Sequence, residues 1–160
     1  AYLTTAQENE LLGLYTFESS KLDVLGMIHP KVIDPENAFV VYGHFNNSDF
    51  NKIRDIVEAN RPRRLYSLSS DGLDKAKQTL KKVVFSSSQK VVGHTIATFY
   101  QLTCAQLIEL MKSMNDDDAK IELAVTAYSN LADRESWFTV YNALTFESSK
   151  TTLEKRVGIK

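Results

Sequence analysis

The chain has 160 residues, of which 43% are hydrophobic and 24% charged, and its formal net charge is −1. A chain of this length makes one ordinary domain, able to bury roughly two-thirds of its unfolded surface without a disulfide or a metal. The near-zero charge speaks against a dedicated nucleic-acid binder, and no apolar run approaches the ~20 residues of a membrane span.

Three prolines and six glycines are too few for the turns of a sandwich or barrel. The apolar spacing predicts an all-α fold of about ten short helices in stacked αα-hairpins, a solenoid-like or irregular helical bundle. The first helix runs from near Thr5 to Thr16, with Leu11, Leu12, Leu14 and Tyr15 apolar. The second spans Ser19 to His29, carries Leu22, Leu25 and Ile28 on one face, and stops at Pro30. Asp34-Pro35 is expected to open a third through Phe45, because Asp is a good N-cap and Pro fits the first helical position. The fourth spans Ser48 to Ala59, with Phe50, Ile53, Ile56 and Val57 inward. Residues 61–70 read as the longest connection. The fifth helix covers about Asp71 to Val84, the sixth Ser88 to Tyr100, the seventh Thr103 to Ser113 and the eighth Asp117 to Ser129. Asp133 is expected to cap a ninth bearing Trp137, Phe138, Tyr141 and Leu144, and the tenth spans Ser149 to Val157 with Gly158 as its C-terminal cap.

Self-similarity is the strongest signal. Thr16-Phe17-Glu18-Ser19-Ser20-Lys21 recurs as Thr145-Phe146-Glu147-Ser148-Ser149-Lys150. Residues 34–42 also match 133–141 at an offset of 99, which aligns Lys21-Leu22-Asp23 with Lys120-Ile121-Glu122 as well. The expectation is one domain over 1–160, with repeat halves about 1–60 and 101–160 and a basic segment about 61–100 between them. Looser junctions, each an aromatic or Met followed by small polar residues, occur at Phe45, Phe85 and Met114. Their Ser, Asn and Asp residues suit N-caps, with the leading residue as an apolar anchor.

Candidate chemistry is sparse. His29, His44 and His94 lie in no metal-binding motif, and His29 at a helix end complements the dipole. Asp116-Asp117-Asp118 lacks the glycine and spacing of a calcium loop and reads as helix-start acids. Cys104, the single cysteine, reads as a structural thiol at the start of a helix. No phosphate loop or nucleophile elbow occurs, so no catalytic, cofactor or metal residues are assigned. Residues 52–90 carry a charge of +6, against −7 for the rest. Arg61, Arg63, Arg64, Lys75, Lys81 and Lys82 therefore form a candidate surface for an acidic partner.

The repeated residues resemble a small all-helical family of unknown function from bacteria and scattered eukaryotes. Phe-x-Ser-Ser and Asp-Pro-x-Asn-Phe/Tyr elements recur in it. The matching residues are Phe17, Ser19, Ser20, Asp34, Pro35, Asn37 and Phe39, then Phe85 to Lys90, and later Asp133, Phe138, Tyr141, Phe146, Ser148 and Ser149. Arg134 and Ser136 stand where the first copy has Pro and Asn. The resemblance implies a module of a kind often without a known catalytic role, and it supplies no activity.

The expected function is a non-catalytic protein-interaction module that binds another protein or itself, because stacked helix pairs offer extended surfaces. The alternative is a carrier of a small apolar ligand or lipid, with Phe39, Tyr42, Phe99, Tyr100, Trp137, Phe138 and Tyr141 around a cavity. An enzyme with an unrecognised site is a third reading. With no leader at Ala1, the expected chain is soluble, either cytoplasmic or processed and secreted.

Overall fold

A computed structural model describes residues 1–158. It is all-α apart from two short strands. The α-helices are α1 (Thr5–Gly13), α2 (Glu18–Ile28), α3 (Phe50–Glu58), α4 (Ser70–Lys82), α5 (Ser86–Phe99), α6 (Cys104–Lys112), α7 (Asp117–Tyr128) and α8 (Glu147–Val157). Short 3-10 segments cover His29–Lys31, Ala38–His44, Asn47–Asp49 and Arg134–Ala143. The strands β1 (Tyr66–Ser67) and β2 (Tyr100–Gln101) pair in parallel, Tyr66 opposite Tyr100.

None of these helices is long enough to persist alone in water, so each depends on caps and on packing. Thr4 and Gln7 form a capping box on α1, and Thr103 and Gln106 form the same box on α6. Ser69 caps α4 through the Gly72 amide, and Asp116 caps α7 through that of Ala119. Replacing Thr103 with alanine is expected to cost about 1 kcal/mol, read as a lower urea midpoint with an unchanged slope.

The core centres on α5, which packs against α3 on one side and α7 on the other. A Cβ at Gly93 would lie 3.0 Å from Met114 Cε and 3.5 Å from Leu123 Cδ1, so the bare glycine lets α5 approach α7 closely. Aromatic rings fill the remaining space edge-on or tilted, Phe39 on Tyr100 at 6.0 Å and Tyr42 on Phe50 at 5.0 Å. The buried Tyr42 hydroxyl meets Thr95 Oγ1 at 2.7 Å, and the Thr95 hydroxyl lies 3.0 Å from Glu58 Oε1.

Several sequence expectations need correction. The third helix is the 3-10 segment Ala38–His44 and the ninth the 3-10 segment Arg134–Ala143; Asp34 lies ahead of the first, and Asp133 holds the N-cap position of the second without a side-chain cap bond. Asp34 instead accepts from the Thr5 amide and Asp133 from the Cys104 amide, so each ties its segment to a distant helix. The first 3-10 segment starts after Asn37, which is left-handed at φ 66°, a conformation Asn tolerates better than most residues. At the aromatic-led junctions Phe17, Phe85 and Phe146 themselves hold the N-cap positions, without side-chain caps. The serines that follow lie in the first helical turn. The verbatim copy therefore marks two helix starts, those of α2 and α8. The connection 61–70 is not structureless, since it contains β1.

Several bonds recur 99 positions apart. The Ile33 amide donates to the Leu3 carbonyl at 2.9 Å, and Ala132 to Leu102 at 2.9 Å. Lys21 Nζ donates to the His44 carbonyl at 3.1 Å, and Lys120 Nζ to that of Ala143 at 2.9 Å. The Thr5 hydroxyl donates to the Asp34 carbonyl, as the Cys104 thiol does to that of Asp133 at 3.3 Å. Glu18 accepts from the Asn46 amide as Asp117 does from that of Thr145.

Candidate binding surfaces

The first surface is a polar cleft of about 500 Å³ where α1, residues 34–44 and α4 meet; Asp34, Glu36, His44, Lys75, Gln78 and Lys82 are among its lining. His44 Nε2 lies 3.1 Å from Asn9 Oδ1. Burial, then the nearby Lys21 and Lys82 ammonium groups, push its imidazole below the ordinary 6.5, which favours the neutral ring. Lys75 pairs with Asp71 at 2.9 Å. The cleft mixes both charge signs, and its imidazole is held by an amide rather than by a nucleophile.

The second surface is a groove of about 630 Å³ along α1, lined by Leu3, Gln7, Glu10, Leu11, Gly13 and Leu14. The spacing 7, 11, 14 puts Gln7, Leu11 and the C-cap Leu14 on one face of α1, and Leu3 extends that face just ahead of the helix. Leu14 is 78% exposed. Tyr2, Tyr15, Phe17, Met27 and Ile33 are exposed too, so most of the large apolar side chains open to solvent belong to the first 33 residues. Surface leucines scattered singly need no explanation, but Leu14 lines a groove together with Leu3 and Leu11.

The basic residues singled out in the sequence do not converge. Lys75 and Lys82 line the polar cleft. Arg61 and Arg63 line a separate opening of about 320 Å³ with Thr126 and Asn130. Lys81 and Arg64 are exposed and line neither. The other polar residues are accounted for locally. Cys104 is 1% exposed; burial, then the Asp133 carboxylate, push its thiol up to about 11, far from a thiolate nucleophile. His94 Nδ1 meets Glu58 Oε1 at 2.7 Å. His29 holds the C-cap position of α2 and is buried there, with its Nδ1 2.8 Å from Glu8 Oε2. Among the described residues no group of three His, Cys, Asp or Glu could hold a metal, and no helix is long and apolar enough to cross a membrane.

Sequence reading missed the α1 groove because Leu11 and Leu14 have the spacing of core residues. The available signal was the exchange of Leu14 and Tyr15 for Ser113 and Met114 at the offset of 99. No curated protein and no solved structure matches the chain. A family model described as a domain of unknown function, DUF4476, matches residues 1–57 and 67–157, and the chain belongs to that family.

Proposed function

We propose that the chain is a non-catalytic protein-interaction module whose binding face is the outer side of α1 and its surroundings. The observation that carries this reading is the groove floored by Leu3, Leu11 and the 78% exposed Leu14, in a stretch of 33 residues that also leaves Tyr2, Tyr15, Phe17, Met27 and Ile33 exposed. Burying one such leucine or methionine against a partner contributes about 2 kcal/mol, and a cluster of them makes the apolar centre expected of a stable interface. The rings expected around a carrier's cavity give that alternative no support: Phe39, Tyr42, Phe99 and Tyr100 are buried in the core.

The reading is tested by photo-crosslinking. A photoreactive residue at position 14 is expected to give a discrete protein adduct in native extract. The same residue at the equally exposed position 138, 74% open in place of Phe138, is expected to give none. Equal labelling from both positions, or none from position 14, contradicts it.

A further inference from the structure

The α1 groove has a covered counterpart in the same molecule. Moving each lining residue 99 positions along the chain gives Leu102, Gln106, Glu109, Leu110, Lys112 and Ser113, on α6 and its two flanks. There Leu102, Leu110 and Ser113 are buried, at 1%, 0% and 8% exposure, and the covering element is β1 followed by α4. The side chain of Gln106 donates from Nε2 to the Leu68 carbonyl at 2.8 Å. Glu109 Oε1 receives Lys77 Nζ at 3.6 Å. The backbone of β1 runs parallel to β2.

On α1 the same receptors are present and unused. Gln7 holds the Thr4 amide through Oε1, as Gln106 holds that of Thr103, but its amide nitrogen donates to nothing among the described residues. Glu10 makes no ion pair among them. Leu3, Leu11 and Leu14 offer the apolar floor. Residues 1–2, which correspond to β2, pair with no strand among the described residues on the side that β1 occupies in the second segment.

Resting on the interaction reading above, we propose that this groove takes a segment of a second polypeptide with the chemistry of β1 and α4. That segment is a short extended lead whose backbone pairs with residues 1–2, a carbonyl set for the Gln7 amide, and an amphipathic helix. The helix lays leucines on Leu3, Leu11 and Leu14 and brings a lysine to Glu10. Main-chain pairing and the Gln7 bond fix the register, the leucines supply most of the affinity, and the lysine selects orientation.

The test is a fluorescence titration of the whole protein into a labelled synthetic peptide of residues 64–84. Saturable one-to-one binding is expected. Leu14→Asp, at a site too exposed to disturb folding, is expected to weaken it about tenfold or more. Lys77→Glu in the peptide is expected to weaken binding about threefold, with Glu10→Lys in the protein restoring it. Absence of saturation, or binding indifferent to Leu14→Asp and to the charge exchange, overturns the proposal. A dimer dispersed by Leu14→Asp, with no peptide binding, overturns it in favour of a second copy as occupant. Adducts from position 14 without peptide binding overturn this assignment and leave the interaction reading standing.

Discussion

Replacing Glu8 with alanine is expected to cost about 3 kcal/mol of folding stability, a large share of a small domain's total. The Glu8 carboxylate and the His29 ring meet at 2.8 Å with side-chain exposures of 0% and 1%. Each keeps a second polar atom, Glu8 Oε1 and His29 Nε2, buried without a hydrogen-bond partner among the described residues. Removing one member strands the other in a dry site, and that desolvation dominates the penalty. Ninety-nine positions on, the counterparts are Leu107 and Tyr128, and Leu107 is buried. Buried polar pairs are often no better for stability than apolar residues of similar size. The double change Glu8→Leu with His29→Tyr is therefore expected to recover most of what Glu8→Ala loses. Urea unfolding of the wild type and the two variants checks this, and a double variant as unstable as the single one would show that the pair is irreplaceable.

Asp117→Asn is expected to cost about 2 kcal/mol at neutral pH, and the cost is expected to vanish in acid. Asp117 is 7% exposed. Burial raises its pKa, but the Ser149 hydroxyl and the amides of Thr145 and Phe146 together outweigh that and bring it from 3.8 to about 2. Both amides lie 3.0 Å from the carboxylate, so the charge pins the entry to α8 onto the start of α7. The folded-state value lies below the unfolded one. The contribution is therefore complete above about pH 4 and is lost as pH falls through about 2; a difference of nearly two pKa units corresponds to about 2 kcal/mol. Stability of wild type and variant, followed by denaturant unfolding from pH 7 to 2, should converge at the acid end. The counterpart Glu18 is partly exposed and accepts the Asn46 amide, so Glu18→Gln is expected to cost under about 1 kcal/mol.

The helices were legible in the sequence where cap and stripe agree. Ser69 before α4, Asp116 before α7 and Gly158 after α8, left-handed at φ 79°, announce those ends locally. Residues 34–45 and 133–144 misled because Asp34 and Asp133 look like caps while their carboxylates serve Thr5 and Cys104, 29 positions away. No local pattern reports such a bond. The Glu8–His29 pair was hidden for the same reason, its members being 21 positions apart. The candidate basic surface rests on charge counted along the chain, which does not report that the fold places Arg61 and Arg63 at a different opening from Lys75 and Lys82. The α1 groove escaped because a periodic leucine stripe looks the same whether or not another element covers it. The difference lies in the packing of α4 on α6, with no equivalent over α1 among the described residues.

The account stands on the outer face of α1 being occupied when the protein works. Side-chain footprinting by carbene labelling, done on the purified chain and inside cells that make it, measures that occupancy directly. Labelling of Leu14 and Met27 is expected to fall in cells while that of Phe138 stays constant. Equal labelling of all three in both settings would contradict it.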